Sequence, residues 1–100
     1  MVKHVILWKL REEITGDARE KVLCEMKENL EALVGKVPGL LRLEIVTVPL
    51  ASSNADVMLD SELKDEESLK GYQSHPAHVA VADTYVRPFK EVRLCMDYEA

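Results

Sequence analysis

At 100 residues the chain is the length of one domain, and 47% hydrophobic with 31% charged residues excludes a disordered tail or a fibrous repeat. Its formal net charge of -5, with acids interleaved among bases as in Arg11-Glu12-Glu13 and Lys64-Asp65-Glu66-Glu67, leaves no basic stripe for a nucleic-acid backbone or an anionic membrane. Cys24 and Cys95 have no framework spacing, no secretory signal precedes them and no apolar run spans a bilayer, so a single domain over residues 1–100 in a reducing, cytoplasmic setting is expected.

Residues 2–10, Val-Lys-His-Val-Ile-Leu-Trp-Lys-Leu, are rich in β-formers and predict a first strand. Alternation puts His4, Ile6, Trp8 and Leu10 on one face and Lys3, Val5, Leu7 and Lys9 on the other, so both faces carry apolar residues. Asp17-Ala-Arg-Glu20 has the form of a capping box, after which Val22, Leu23, Met26, Leu30, Leu33, Val34 and Val37 recur at helical spacing. A long amphipathic helix over residues 17–36 follows, ended by Gly35 and Pro38-Gly39. From Leu40 the period changes to two: Leu41, Leu43 and Ile45 alternate with Arg42 and Glu44 through Val48, until Pro49 stops the strand. A polar loop, residues 51–56, leads into a third strand over Val57 to Leu63.

The densest chemistry lies next, in Tyr72-Gln73-Ser74-His75-Pro76-Ala77-His78. Residues 66–73 read as a short helix capped by Asp65, with Leu69 and Tyr72 on one side. Proline disfavours helical geometry at the residue before it and is accepted in a first turn, so His75-Pro76 closes one helix and opens another over Pro76 to Val86. On that helix His78, Val81, Ala82 and Tyr85 share an inward stripe, and the helix N-terminus disfavours an imidazolium at His78. A neutral imidazole beside a tyrosine is the equipment for proton transfer at an enolisable carbon or a carbonyl. A second reading stays open, in which an inward histidine is a hydrogen-bonded core residue and Tyr72 only packs its ring. His75 is expected to be structural, bonding backbone at the break.

Val92, Leu94, Met96 and Tyr98 alternate with Arg93, Cys95 and Asp97 in a fourth strand. Strand, helix, strand, strand, helix, strand is the ferredoxin-like split βαβ order, an α+β fold with a four-stranded antiparallel sheet and helices on one face. Apolar residues on both strand faces imply that the helix-free side meets a second copy in a symmetric homodimer, with Arg42, Glu44 and Asp60 in a partly polar rim.

With this order, the Tyr-x-x-His-Pro-x-His motif, Val2-Lys3-His4-Val5 at the start and Asp97-Tyr98 at the end, the chain resembles the stress-responsive A/B barrel (Dabb) domain family of dimeric α/β barrels. The resemblance implies chemistry like that of a plant polyketide cyclase of the family, an aldol ring closure with His78 as base, Tyr72 as acid and His4 orienting the carbonyl. It further implies a cavity between sheet and helices, walled by Trp8, Val22, Leu23, Met26, Leu59 and Tyr85, that takes an oxygenated, largely apolar small molecule. No resident cofactor is expected, although the resemblance implies that backbone carbonyls near Val34, Val37 and Leu40 could hold a magnesium ion. Two other classes remain: a noncatalytic stress-associated oligomer, and a cofactor-free monooxygenase-like barrel. Heme and zinc are not expected, because His75 and His78 straddle a proline without a paired carboxylate in sequence.

Overall fold

The structure is a computed structural model and describes residues 1–100. Its elements run β1 (Val2–Leu10), α1 (Gly16–Glu31), β2 (Leu40–Val46), β3 (Val57–Leu63), α2 (Glu66–Ser74), α3 (Pro76–Val81), a π-helical turn (Ala82–Val86) and β4 (Lys90–Glu99). The strands form one antiparallel sheet in the order β2-β3-β1-β4. Alternation along β1 is strict: Val2, His4, Ile6, Trp8 and Leu10 are all buried against the helices. Val57, Leu59, Ser61 and Leu63 continue that face on β3. From α1, Val22, Leu23, Met26 and Leu30 close over it, as a 3.6-residue period requires. No helix is long and apolar enough to cross a membrane.

Four local expectations change. The capping box does not form, because α1 starts one residue before Asp17 and Thr15 occupies the cap position without a side-chain bond. Asp17 instead lies in the first turn, where a carboxylate favours the helix dipole. Helix α1 ends at Glu31 and not at residue 36, since the amides of Leu33, Val34 and Lys36 bond three residues back and tighten the chain into turns. Leu33 and Val37 stay in the core nonetheless. Strand β2 stops at Val46, two residues earlier than alternation suggests.

The fourth change matters most for the site. The helix expected over Pro76 to Val86 is α-helical only to Val81, then widens into a π turn in which the Arg87 amide bonds the Ala82 carbonyl at 2.8 Å. That wider turn takes an extra residue and slips the phase of the inward stripe. Val86 is buried as a result, while Tyr85, expected inward, is only half-buried.

Strand β4 is an edge strand and extends past the helices, so Arg93, Cys95 and Asp97 lie on the helix side of the sheet yet are exposed. On the opposite side no element covers the sheet. Leu7, Val92, Leu94, Met96 and Tyr98 are exposed there beside half-buried Val5 and Met58, and the far end carries a charge network in which Asp60 meets Lys3 at 2.7 Å and Arg42 at 3.0 Å.

Candidate functional site

Two breaks in regular structure place the site. Helix α2 is capped by Asp65, whose side chain accepts the Ser68 amide at 2.7 Å, and it stops at the extended residue His75. His75 Nδ1 accepts the Ala77 amide at 3.1 Å and so caps α3, the structural role its position implies. The reversal brings His78, at the start of α3, back over Tyr72, near the end of α2. Their rings lie 4.2 Å apart at a 36° tilt. Tyr72 in turn meets His4 of β1 edge-on, at a centroid separation of 5.8 Å. The phenol therefore sits between two imidazoles contributed by the sheet and by α3.

Each of the three has a defined protonation chemistry or partner. The His78 Nδ1 faces the Gln73 carbonyl at 3.3 Å; a carbonyl only accepts, so Nδ1 carries the proton in the neutral ring and Nε2 is left as the basic nitrogen. Burial pulls the His78 pKa below its ordinary value, the nearby charges of Arg87, His4 and Arg93 lower it further, and the Gln73 bond opposes them. His78 is accordingly neutral at pH 7 and able to take a proton. Tyr72 is completely buried, its hydroxyl has no partner, and desolvation raises its pKa, which keeps the phenol protonated and able to donate.

His4, 1% exposed, is oriented by a carboxylate to which the sequence reading gave no role in the site. Its Nδ1–H donates to Asp97 Oδ1 across the β1–β4 ladder, in which His4 and Asp97 are direct partners. Holding one ring nitrogen in this way sets the tautomer and exposes the other. The signal for Asp97 was available only through register. Cys95 Sγ lies 3.7 Å from His4 Nδ1, and burial, followed by the charge of Asp97, raises its pKa, which keeps it a thiol. His4, Cys95 and Asp97 bring donor atoms within 4.8 Å of one another, a combination zinc can use, but the imidazole and carboxylate here are bonded to each other.

These groups border a cavity of about 290 Å³ between the sheet and the α3/π-turn segment. Its wall holds His4, His78, Trp8 and Leu59, together with Ile6, Leu30, Gln73, Ala82 and Val86. Three cations, Arg87, Lys90 and Arg93, complete it. Tyr72 stands behind the imidazoles and not in the wall itself. Val22, Leu23 and Met26 belong to the packed core on α1 and do not line the cavity, and the phase slip keeps Tyr85 out of it.

Magnesium at the carbonyls suggested for it, near Val34, Val37 and Leu40, finds no support. The Val37 carbonyl already accepts the Leu40 amide at 3.3 Å, Leu40 is paired into the sheet, and the nearest helix-end acid, Glu31, is engaged by Lys27 at 2.8 Å and the Ile45 amide at 2.9 Å.

Fold and site together define a class: ferredoxin-like α+β proteins with a histidine–tyrosine cluster between sheet and helices. Residues 2–100 match the Stress responsive A/B Barrel Domain (Dabb) family, and the chain belongs to it. It is 29% identical over 97 residues to olivetolic acid cyclase of Cannabis sativa, covering 97% of this chain and 94% of that protein. A dimeric protein of unknown function with a ferredoxin-like fold from Bacteroides fragilis superposes with a TM-score of 0.91 at 32% identity, covering 99% of this chain and 95% of the other. Hydroxynitrile lyase from Passiflora edulis, 12% identical with a TM-score of 0.78 over 97% of this chain and 90% of its own, shares the fold alone.

Proposed function

We propose that the protein is a homodimeric enzyme that binds an oxygenated, largely apolar small molecule in the cavity and moves a proton on it, with His78 as base. The observation that carries this reading is the stacking of a neutral, desolvated imidazole on a buried phenol with an unpartnered hydroxyl, beside a cavity of small-molecule size. A buried hydroxyl without a partner is costly in a purely structural core, and a carbonyl or enolate oxygen that enters between the two imidazoles would satisfy it. In the reaction, His78 Nε2 takes a proton from carbon next to a carbonyl, His4, braced by Asp97, orients that carbonyl, and Tyr72, which lies behind the two rings, donates to the oxygen on which charge develops when that oxygen enters between them. Kinship with a protein named as a cyclase supports ring closure as the outcome.

The dimer part of this reading draws on the uncovered apolar side of the sheet and on relatives described as dimeric. Proton abstraction is testable without knowing the substrate. With acetophenone as a one-ring ketone in D₂O, the wild-type protein is expected to speed methyl deuterium exchange, followed by NMR, and His78→Ala to lose about 10²-fold of that acceleration. A wild-type protein that leaves the exchange rate of acetophenone unchanged, with a His78→Ala variant of lower melting temperature, would instead favour a noncatalytic role in bracing the helix junction.

A further inference from the structure

The cavity has a polarity that the histidine–tyrosine chemistry does not use. Every charged group in its wall is a cation: Arg87 at the end of the π turn, and Lys90 and Arg93 on β4. No carboxylate lines it, although the chain as a whole carries -5. Arg87 is partly answered by Asp83, with which it forms an ion pair. Lys90 and Arg93 take part in no ion pair.

A neutral donor belongs to the same wall. Trp8 is 3% exposed, and its indole N–H is buried with no hydrogen-bond partner. Trp8 and Arg93 are direct partners in the β1–β4 ladder, and Lys90 opposes the adjacent inward residue, Leu10. The indole N–H, guanidinium and ammonium groups can only donate. Two cations without ion-pair partners and a neutral donor, in a wall that holds no carboxylate, are complementary to an acceptor that is itself negative, an ionised acid.

We propose that the natural ligand carries an anionic acid group, a carboxylate or a phosphate, held by Lys90 and Arg93 with the Trp8 indole beside it. This deepens the reading of the cavity as a small-molecule site and rests on it. The ligand is then bipolar, with an enolisable or carbonyl carbon at His78 and an acid group toward β4. At about 290 Å³ the cavity is at the small end of ligand sites, roughly 300 to 1,000 Å³, which fits one ring with its substituents. The upstream reaction must therefore deliver a short keto acid or a ring-forming acid, not a neutral ketone.

The test compares salicylate and phenyl phosphate with salicylamide, which has the shape of salicylate without its charge. Binding is followed by calorimetry and by the His78 imidazole resonances in NMR. At least one anion is expected to bind about tenfold or more tightly than the amide, with the difference shrinking as salt rises. In the double variant Lys90→Gln, Arg93→Gln that preference is expected to fall to within about threefold, while Arg93→Lys, which keeps the charge, retains most of it. Both positions are at the surface edge of the sheet, and a thermal melt of each variant confirms folding. Equal binding of anion and amide to the wild type, or a preference that survives in the folded double variant, overturns the proposal and leaves the cavity reading standing. Failure of all three probes to move the His78 resonances at millimolar concentration removes the cavity reading itself, and the anion proposal with it.

Discussion

At the residue scale, the buried face of the site contains two polar groups too many for a structural core, the Trp8 indole N–H and the Tyr72 hydroxyl. Tyr72 brings a hydroxyl to a position with no exposure and no partner, an arrangement that costs about 1 to 3 kcal/mol. Tyr72→Phe deletes that group and keeps the ring against His4 and His78. Its melting temperature should be equal to or above wild type, while proton exchange on a ketone probe drops by about tenfold or more. A clear loss of stability in Tyr72→Phe would mean that the hydroxyl has a structural partner. His78 supplies a second, independent readout. Its folded pKa lies below the ordinary value of 6.5, first because of burial, so the free base persists further into acid than in an exposed histidine. The acid limb of the rate, and the NMR titration of His78, should have midpoints below 6.5. The sign for stability is the same: the folded state takes up the proton less readily than the unfolded chain, so stability is retained above about pH 6.5 and declines as pH falls below it toward the folded value.

At the scale of elements, the site depends on where helices stop. His75-Pro76 ends α2 and starts α3, and the fold needs no other device to return His78 over Tyr72. A second stop precedes β2. Gly39 has φ +80°, a left-handed conformation, and a Cβ there would collide with the side chain of Ser68 in α2. Gly39 also accepts the Lys64 amide at 2.9 Å, tying the start of β2 to the end of β3. Gly39→Ala should thus destabilise by about 2 kcal/mol or more in denaturant titration, and Gly35→Ala, with positive φ but open space around it, by less. Equal effects at the two glycines would dismiss the clash with α2. The exposed edge of β2 is managed by α1: Lys27 Nζ donates to the Ile45 carbonyl at 2.9 Å and Glu31 accepts the Ile45 amide at 2.9 Å, which occupies backbone groups another strand could have used.

At the scale of the whole molecule, the sheet has one side packed by helices and one side bare. Leu94 and Met96 are 63% and 66% exposed on that bare side, next to Leu7 and Tyr98, while Lys3, Arg42, Asp60 and Glu62 pair among themselves at its far end. A self-complementary arrangement can bury the apolar half and leave the ion pairs in a rim. Sedimentation of the wild type at micromolar concentration should give a dimer, and Leu94→Glu a folded monomer, because a charge buried without a partner in an interface costs several kcal/mol. A wild-type monomer would remove the argument from the bare sheet.

What could be read from the amino-acid order by itself was everything that depends on near neighbours. The alternation of β1 put His4 and Trp8 on one shared face, the spacing in α1 marked its buried stripe, and the proline after His75 set the helix junction that stacks His78 on Tyr72. Periodicity and stop signals carry such information because they act over a few residues. The remainder was decided only by the tertiary structure. Asp97 reaches His4 across 93 positions because two strands pair in one register, and nothing local distinguishes that register from its alternatives. The π turn moved Val86 inward in place of Tyr85 through a single extra residue, invisible to a 3.6-residue pattern. Arg87, Lys90 and Arg93, which look like ordinary surface charges in the sequence, became part of the wall of a cavity, Arg87 at the end of the π turn and the other two because the last strand runs out beyond the helices that cover its neighbours.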